Sequence, residues 1–258
     1  MLLNFLAKCV NNIVRRNFYT YLIARKHARF FSRFLLLEDG FNILSAINLN
    51  NMKGKILLDC GSNDGTSIEM ILQYFPDSQI IAFDPIVSIP ASKPNVIFHN
   101  LALGSKKGKI TVYTPVISRK KLTQFSSINK SQILENLQNN LNINKSKLSF
   151  TKKIVNVSTI DSFEYDPFFI KIDVEGSEYE VLRGAKNTIK KFEPLVIVEI
   201  NSLDKFVEIK HFFDKLMYEL VYVKGARKIR IKKSSEFRTH VNNYVFVPRS
   251  FLKSNNSS

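Results

Sequence analysis

Phe168-Phe-Ile-Lys-Ile-Asp-Val-Glu-Gly-Ser-Glu178 is the stretch on which the fold turns. It opens as a short apolar run with a single lysine, the pattern of a buried strand, and closes in carboxylates beside a glycine. Behind it, Tyr179, Leu182, Ala185, Ile189 and Phe192 recur at helical spacing, which predicts a helix over 179–192. The unit therefore reads strand, acidic turn, helix. Open α/β sheets hold ligands just beyond the carboxyl ends of their strands, so Asp173 and Glu175 are expected to face a site.

Two earlier segments repeat the plan. Lys55-Ile-Leu-Leu-Asp-Cys-Gly-Ser-Asn-Asp-Gly65 runs an apolar strand into Asp59 and a turn with glycines at 61 and 65, and Thr66–Phe75 follows with helical patterning. Glycines there let a ligand approach the backbone, and the helix start offers free N–H groups. Asn63 stands where the dinucleotide fingerprint has its second glycine, and no Gly-Lys-Ser/Thr follows, so neither that fingerprint nor a phosphate loop is present. Gln79-Ile-Ile-Ala-Phe-Asp84-Pro85 is a second buried strand ending in an acid, 19 residues past Gly65. An acid at that strand tip commonly binds ribose hydroxyls, so turn and acid together suggest an adenosine-containing cofactor.

Asn95–Leu103 reads as a third strand, Gly104–Gly108 as a turn and Lys109–Tyr113 as a hairpin arm. Residues 114–150 are polar and irregular with a helix over Ser131–Leu141, and a lid-like insertion is expected there. Strands are expected at Lys153–Val157 and at Pro194–Ile200, the latter with Glu199 near its end. Leu203–Leu220 should be a helix with Phe206, Ile209, Phe212, Phe213 and Leu216 inward, before paired closing strands at Val221–Val223 and Tyr244–Val247. Between those strands, Lys224–Lys233 holds six basic residues and no acid. The alternation of strand and helix predicts an α/β fold, a doubly wound, mostly parallel sheet. The expected organisation is a basic, amphipathic helical segment over 1–50, a catalytic domain over 51–250 and a disordered tail over 251–258.

With 258 residues and 45% hydrophobic content, the chain can bury one full core. Cys9 and Cys60 make no disulfide framework, which points to a reducing compartment. No run reaches the roughly 18 apolar residues that span a bilayer, and a cytoplasmic location is expected. A net charge of +16 implies an anionic partner, or simply a surface solvated by basic groups. Residues 1–50 carry seven basic and two acidic side chains. Peripheral contact of 1–34 with the inner membrane face is one reading, and a helical layer on the catalytic domain is the other. Lys171 on a central strand must either snorkel or pair with an acid. His27, His99, His211 and His240 fall in no motif and read as packing or surface residues.

The residues also resemble the FkbM-type S-adenosylmethionine-dependent methyltransferases over about 54–202. The match runs through Asp59–Gly65, Phe83-Asp-Pro85, Ser126-Ser-Ile128, Val157–Asp161 and Ile170–Glu178, then Leu182–Ala185 and Val198-Glu199. Asp84 replaces the glutamate more usual in that family. The resemblance implies a class I, Rossmann-like methyltransferase that moves a methyl group to a hydroxyl of a sugar, glycolipid or similar metabolite. By similarity Asp59, Gly61, Ser62, Asn63 and Gly65 would surround the methionine part of S-adenosylmethionine, Asp84 would hold the ribose, and Asn100 would edge the adenine. A base near the acceptor would help deprotonate a hydroxyl, and Asp173 is the preferred candidate, with Glu175 beside it. Glu178 fits a cap of the following helix. A divalent cation on Asp173 and Glu175 is the alternative, but no histidine or further acid in the neighbouring sequence compels it, so no metal is expected.

A nucleic-acid methyltransferase would also suit the charge. Amino-group enzymes of that kind carry Asn/Asp-Pro-Pro-Tyr/Phe after the fourth strand. Here Asp166-Pro-Phe-Phe169 precedes that strand and lacks the second proline, so no nucleic-acid acceptor is expected. A binding protein that keeps the fold without catalysis is countered by the complete cofactor turn and Asp84. An anionic, lipid-linked or phosphorylated acceptor would suit the basic ends.

Overall fold

The structure, a computed structural model, describes residues 54–87, 94–141, 148–224, 227–231, 237 and 243–254. The helical segment expected over 1–50, including the membrane contact of 1–34, and the tail beyond 254 lie outside the described residues. Described residues of 36–109 and 155–258 form one compact unit, and those of 110–154 form another.

The order begins β1 (Ile56–Cys60), α1 (Thr66–Tyr74), β2 (Gln79–Phe83), β3 (Val96–His99) and β4 (Ala102–Leu103). It continues with β5 (Gly108–Ile117), β6 (Lys120–Lys121), α2 (Lys130–Leu141) and β7 (Leu148–Ser158). Then come β8 (Pro167–Ile172), α3 (Glu178–Arg183), α4 (Lys186–Phe192), β9 (Leu195–Glu199) and α5 (Leu203–Asp214). β10 (Tyr218–Lys224), β11 (Arg227–Ile231), β12 (Asn243–Pro248) and α6 (Arg249–Ser254) close the chain.

Eight strands form the main sheet in the order β11-β10-β12-β9-β8-β1-β2-β3. β3, β2, β1, β8 and β9 run parallel, while β12 enters antiparallel between β9 and β10. From β1 the chain steps outward to β2 and β3, then returns to β8 on the other flank of β1. That reversal creates the switch point at the carboxyl ends of β1 and β8. Both faces are apolar, as a doubly wound sheet requires. Leu58, Ile81, Ile170 and Val196 pack with Leu182, Ile189, Phe206 and Ile209 of α3, α4 and α5. Leu57, Ile80, Phe169 and Leu195 pack on the opposite face with Ile68 and Ile71 of α1 and Phe251 of α6. No helix among the described residues is long and apolar enough to cross a membrane.

Four segments differ from the sequence expectation, each for a physical reason. The helix expected over 179–192 is two helices, broken at Gly184. A Cβ there would sit 2.0 Å from the carbonyl oxygen of Gly104, so another backbone occupies the place of a side chain. α4 restarts with Asn187 and Thr188 N–H donating to the carboxylate of Asp161, far back in sequence. The third strand stops at His99, where Asn100 turns aside and its Nδ2 donates to the Asp84 carbonyl at 2.9 Å. The helix expected to reach Leu220 ends at Asp214, because Met217 adopts a left-handed φ of 63° and sends the chain into β10. The described residues of 114–150 are more ordered than their polarity implies. Ile117, Leu122, Phe125, Ile133 and Leu137 are buried together in a core of their own.

Candidate functional site

The site is built where β2, β1 and β8 end side by side. Cys60 lies in register with Phe83 on one flank and with Ile172 on the other, so Gly61, Asp84 and Asp173 leave the sheet together. The N–H groups of Gly61 and Ser62 both donate to the Phe83 carbonyl, at 2.9 and 3.1 Å. Asp173 N–H donates to the Cys60 carbonyl at 2.9 Å and locks the end of β8 to that of β1. Gly61 has φ 90°, and a Cβ on it would lie 1.7 Å from the Asp173 carbonyl oxygen. The neighbouring strand is thus what this glycine first admits.

The residues expected around a cofactor separate into two sets. Asp59 is fully buried and its Oδ2 accepts from Ser67 Oγ at 2.6 Å, which anchors α1 to β1. Ser62 is 2% exposed, and Gly65 is buried as the N-cap of α1 with φ 83°. Gly61, Asn63 and Asn100 keep accessible surface. Asn63 is left-handed at φ 42°, and its N–H donates to Asp84 Oδ2 at 3.0 Å. Asp84 Oδ1 accepts from the N–H groups of Ile86 and Val87, at 2.8 and 2.7 Å. Asp84 therefore cross-links its own loop to the glycine turn, and Asn100 braces it from β3.

Beside this turn lies a chain of ionisable groups. Lys171 is in register with Asp59 on one strand and Ile197 on the other, and its side chain is 2% exposed. It pairs rather than snorkels: Nζ sits 2.8 Å from Asp173 Oδ2. Burial pushes the Asp173 carboxyl upward, but Lys171 and a hydrogen bond from Glu199 outweigh it and hold the group below its usual range. Burial, the Asp173 charge and that shared hydrogen bond raise Glu199 well above its usual range, so Glu199 keeps the proton it donates. Glu175, in a left-handed turn with φ 51°, is pushed up to about 8 by burial and by the charges of Asp173 and Glu178.

Asp173, Glu175 and Glu199 present carboxylate oxygens within 4.8 Å of one another. A hard cation could bridge such oxygens, but the Lys171 ammonium already supplies positive charge to Asp173. Glu199 is the member that sequence reasoning left without a role. Its signal was legible: an acid at the tip of the parallel strand next to β8 must lie near Asp173.

Glu178 is structural, as its place at a helix start suggested. It is 3% exposed, accepts from Gly176 N–H at 2.7 Å and pairs with Lys205 at 3.1 Å. His99 stacks on Phe83 and meets Phe163, with a hydrogen bond to the Tyr165 hydroxyl at 3.2 Å; burial lowers its pKa. It belongs to an aromatic packing cluster. Burial first, then the Asp59 charge, raises the Cys60 thiol and keeps it protonated.

The raised Glu175 predicts a pH-dependent stability. Its ordinary value is 4.5 and its folded value about 8, so the fold binds this proton more tightly than the unfolded chain. The associated stability is complete below the ordinary value and is lost as pH rises through the folded one. Melting temperature should therefore fall between about pH 4.5 and 8, and Glu175→Gln should flatten that decline. An unchanged slope in the variant would contradict the assignment.

A family model described as "Methyltransferase FkbM domain" matches residues 59–224. Among solved structures, methyltransferase FkbM from Methylobacillus flagellatus KT is similar with a TM-score of 0.47 at 13% identity, covering 79% of this chain and 47% of that one. Precorrin-6y C5,15-methyltransferase from Geobacter metallireducens GS-15 gives 0.36 at 13% identity, covering 79% and 82%. MycE methyltransferase from the mycinamycin biosynthetic pathway, in complex with Mg and SAH, gives 0.35 at 12% identity, covering 91% and 49%. The chain thus spans about half the length of the first and third of these. No curated protein matches the sequence.

Proposed function

The chain belongs to the FkbM methyltransferase family, and from that premise we propose that it transfers a methyl group from S-adenosylmethionine to a hydroxyl of a sugar, glycolipid or similar metabolite. The residues present fit that cofactor. S-adenosylmethionine carries positive charge on its sulfonium and its ammonium, and the carboxyl edge of the sheet offers Asp84, Asp173, Glu175 and Glu199. The turn at Gly61 and the partly exposed, left-handed Asn63 suit the methionine part. Asp84, held still by three backbone N–H groups, suits the ribose, with Asn100 toward the adenine. When bound, the cofactor supplies an electrophilic methyl group and a neutral leaving sulfide.

The protein's own work is alignment and proton removal. A hydroxyl is a poor nucleophile until its proton begins to leave, and the best base has a pKa near working pH. Glu175 supports this reading most directly, because its environment tunes it to about 8 at the tip of β8. Asp173, paired with Lys171, is the weaker base and fits a positioning role. Glu199, protonated, steadies Asp173 from the next strand. Asp84→Asn should weaken binding of the demethylated cofactor by about tenfold, read by calorimetry, since it removes the negative charge from the strand tip assigned to the ribose.

The acceptor is read as anionic or lipid-linked from the net charge of +16, in a cytoplasmic setting with peripheral contact through 1–34. Tritiated methyl transfer to cell extract, split into lipid, glycan and nucleic-acid fractions, tests the whole reading. Label in the glycan or lipid fraction is the expected result, and label confined to nucleic acid would overturn it. Deleting 1–34 should lower liposome retention.

A further inference from the structure

On the sheet face covered by α3, α4 and α5, these helices line an open groove whose residues the methyl-transfer reading does not use. Its cavity is about 450 Å³, within the range of small-molecule sites. Arg183, Lys186, Lys190, His211 and Lys215 line it, and no acid does. Lys186 and Lys190 are four residues apart on α4, as are His211 and Lys215 at the end of α5. Residues at that spacing share one helix face, so each wall presents a basic pair whose members repel when both are charged.

The neighbouring lysines are satisfied differently. Lys205 pairs with Glu178 at 3.1 Å, Lys210 with Asp214 at 2.7 Å, and Lys191 lies over the Phe192 ring. Among the described residues, Lys186, Lys190 and Lys215 make no ion pair, and Arg183 has an exposed one with Glu180. On these helices, the lysines without an acid partner include the three that line the groove. Beside them Tyr179 and Phe212 meet edge to face, with ring centroids 6.3 Å apart, and give one wall an apolar surface.

We propose that this groove binds a diphosphate-bearing ligand, with phosphate oxygens on the lysine and arginine side chains and the attached group against Tyr179 and Phe212. A single phosphate leaves much of this positive charge unanswered. Two linked phosphates offer enough anionic oxygens to meet cations of both helices and to relieve the repulsion between Lys186 and Lys190. The diphosphate comes either from a soluble nucleotide or sugar diphosphate, or from the headgroup of a diphosphate lipid. The site is separate from the methyl-transfer edge, so it stands whether or not the acceptor reading above holds.

Calorimetry of the full chain with inorganic pyrophosphate at physiological salt tests it. Wild type should bind. The double variant Lys190→Glu/Lys215→Glu should bind at least about tenfold more weakly, because two charge-assisted contacts are reversed. The charge-matched control Lys120→Glu/Lys121→Glu should bind as wild type does. Lys186→Gln, a milder change, should weaken binding severalfold if the double variant fails to fold. Retention on phosphatidylcholine vesicles doped with farnesyl diphosphate, displaced by pyrophosphate, assigns the ligand to a lipid. Pyrophosphate binding without vesicle retention assigns it to a soluble molecule. No pyrophosphate binding by wild type, or equal weakening in the two double variants, overturns the proposal.

Discussion

Replacing Glu175 with glutamine is expected to lower methyl transfer by about 10²- to 10⁴-fold, the span that a general base contributes. The same variant should melt higher than wild type near pH 8, because it deletes a charge that burial and two neighbouring acids oppose. Loss of activity with gain of stability is the pattern of a residue kept for chemistry against its local cost. Affinity for the demethylated cofactor should change only severalfold. In wild type, kcat/KM should rise with pH and level off above about 8, since the ionised form takes the proton. In kcat the midpoint should move lower, as a cation bound nearby favours the ionised carboxylate. If Glu175→Gln kept full activity while Asp173→Asn abolished it, the base would be Asp173 and Glu175 only its neighbour.

The second large effect concerns the backbone. Gly61→Ala places a methyl group 1.7 Å from the Asp173 carbonyl oxygen, in a residue whose φ of 90° already disfavours any side chain. Strain and overpacking together should remove about 3 kcal/mol or more of stability, read by urea unfolding. Gly54→Ala is the internal comparison. Its φ is 76°, yet nothing lies within 4 Å of its added carbon. It should therefore show the conformational cost alone, about 1 kcal/mol. Equal losses at the two positions would mean that β1 and β8 part easily, and would remove the reason for glycine at 61.

Much of this architecture was legible in the sequence because β1, β2, β8 and β9 each read as an apolar run with an acid in or just after its end. Asp59, Asp84, Asp173 and Glu199 all stand at or beside such ends, and the chain alternation fixed a parallel sheet. Contacts between segments remote in sequence were not legible. The break at Gly184 follows from the arrival of Gly104, which no local periodicity encodes. The 110–154 unit looked irregular because the five residues of its buried cluster are spread over a polar stretch. Within the site, the residue types could be named from the strand tips. Their protonation could not, since it depends on how closely Asp173, Glu175 and Glu199 converge.

Lys171 carries a last consequence. In a chain so rich in lysine, amine-acylating reagents will modify exposed side chains first, yet the Lys171 ammonium is buried at 2% exposure on a central strand and held by Asp173. Its modification can proceed only when β8 separates from its neighbours. The rate at which mass spectrometry finds Lys171 acylated is therefore a clock for breathing of the native core, read from a side chain that the protein already carries.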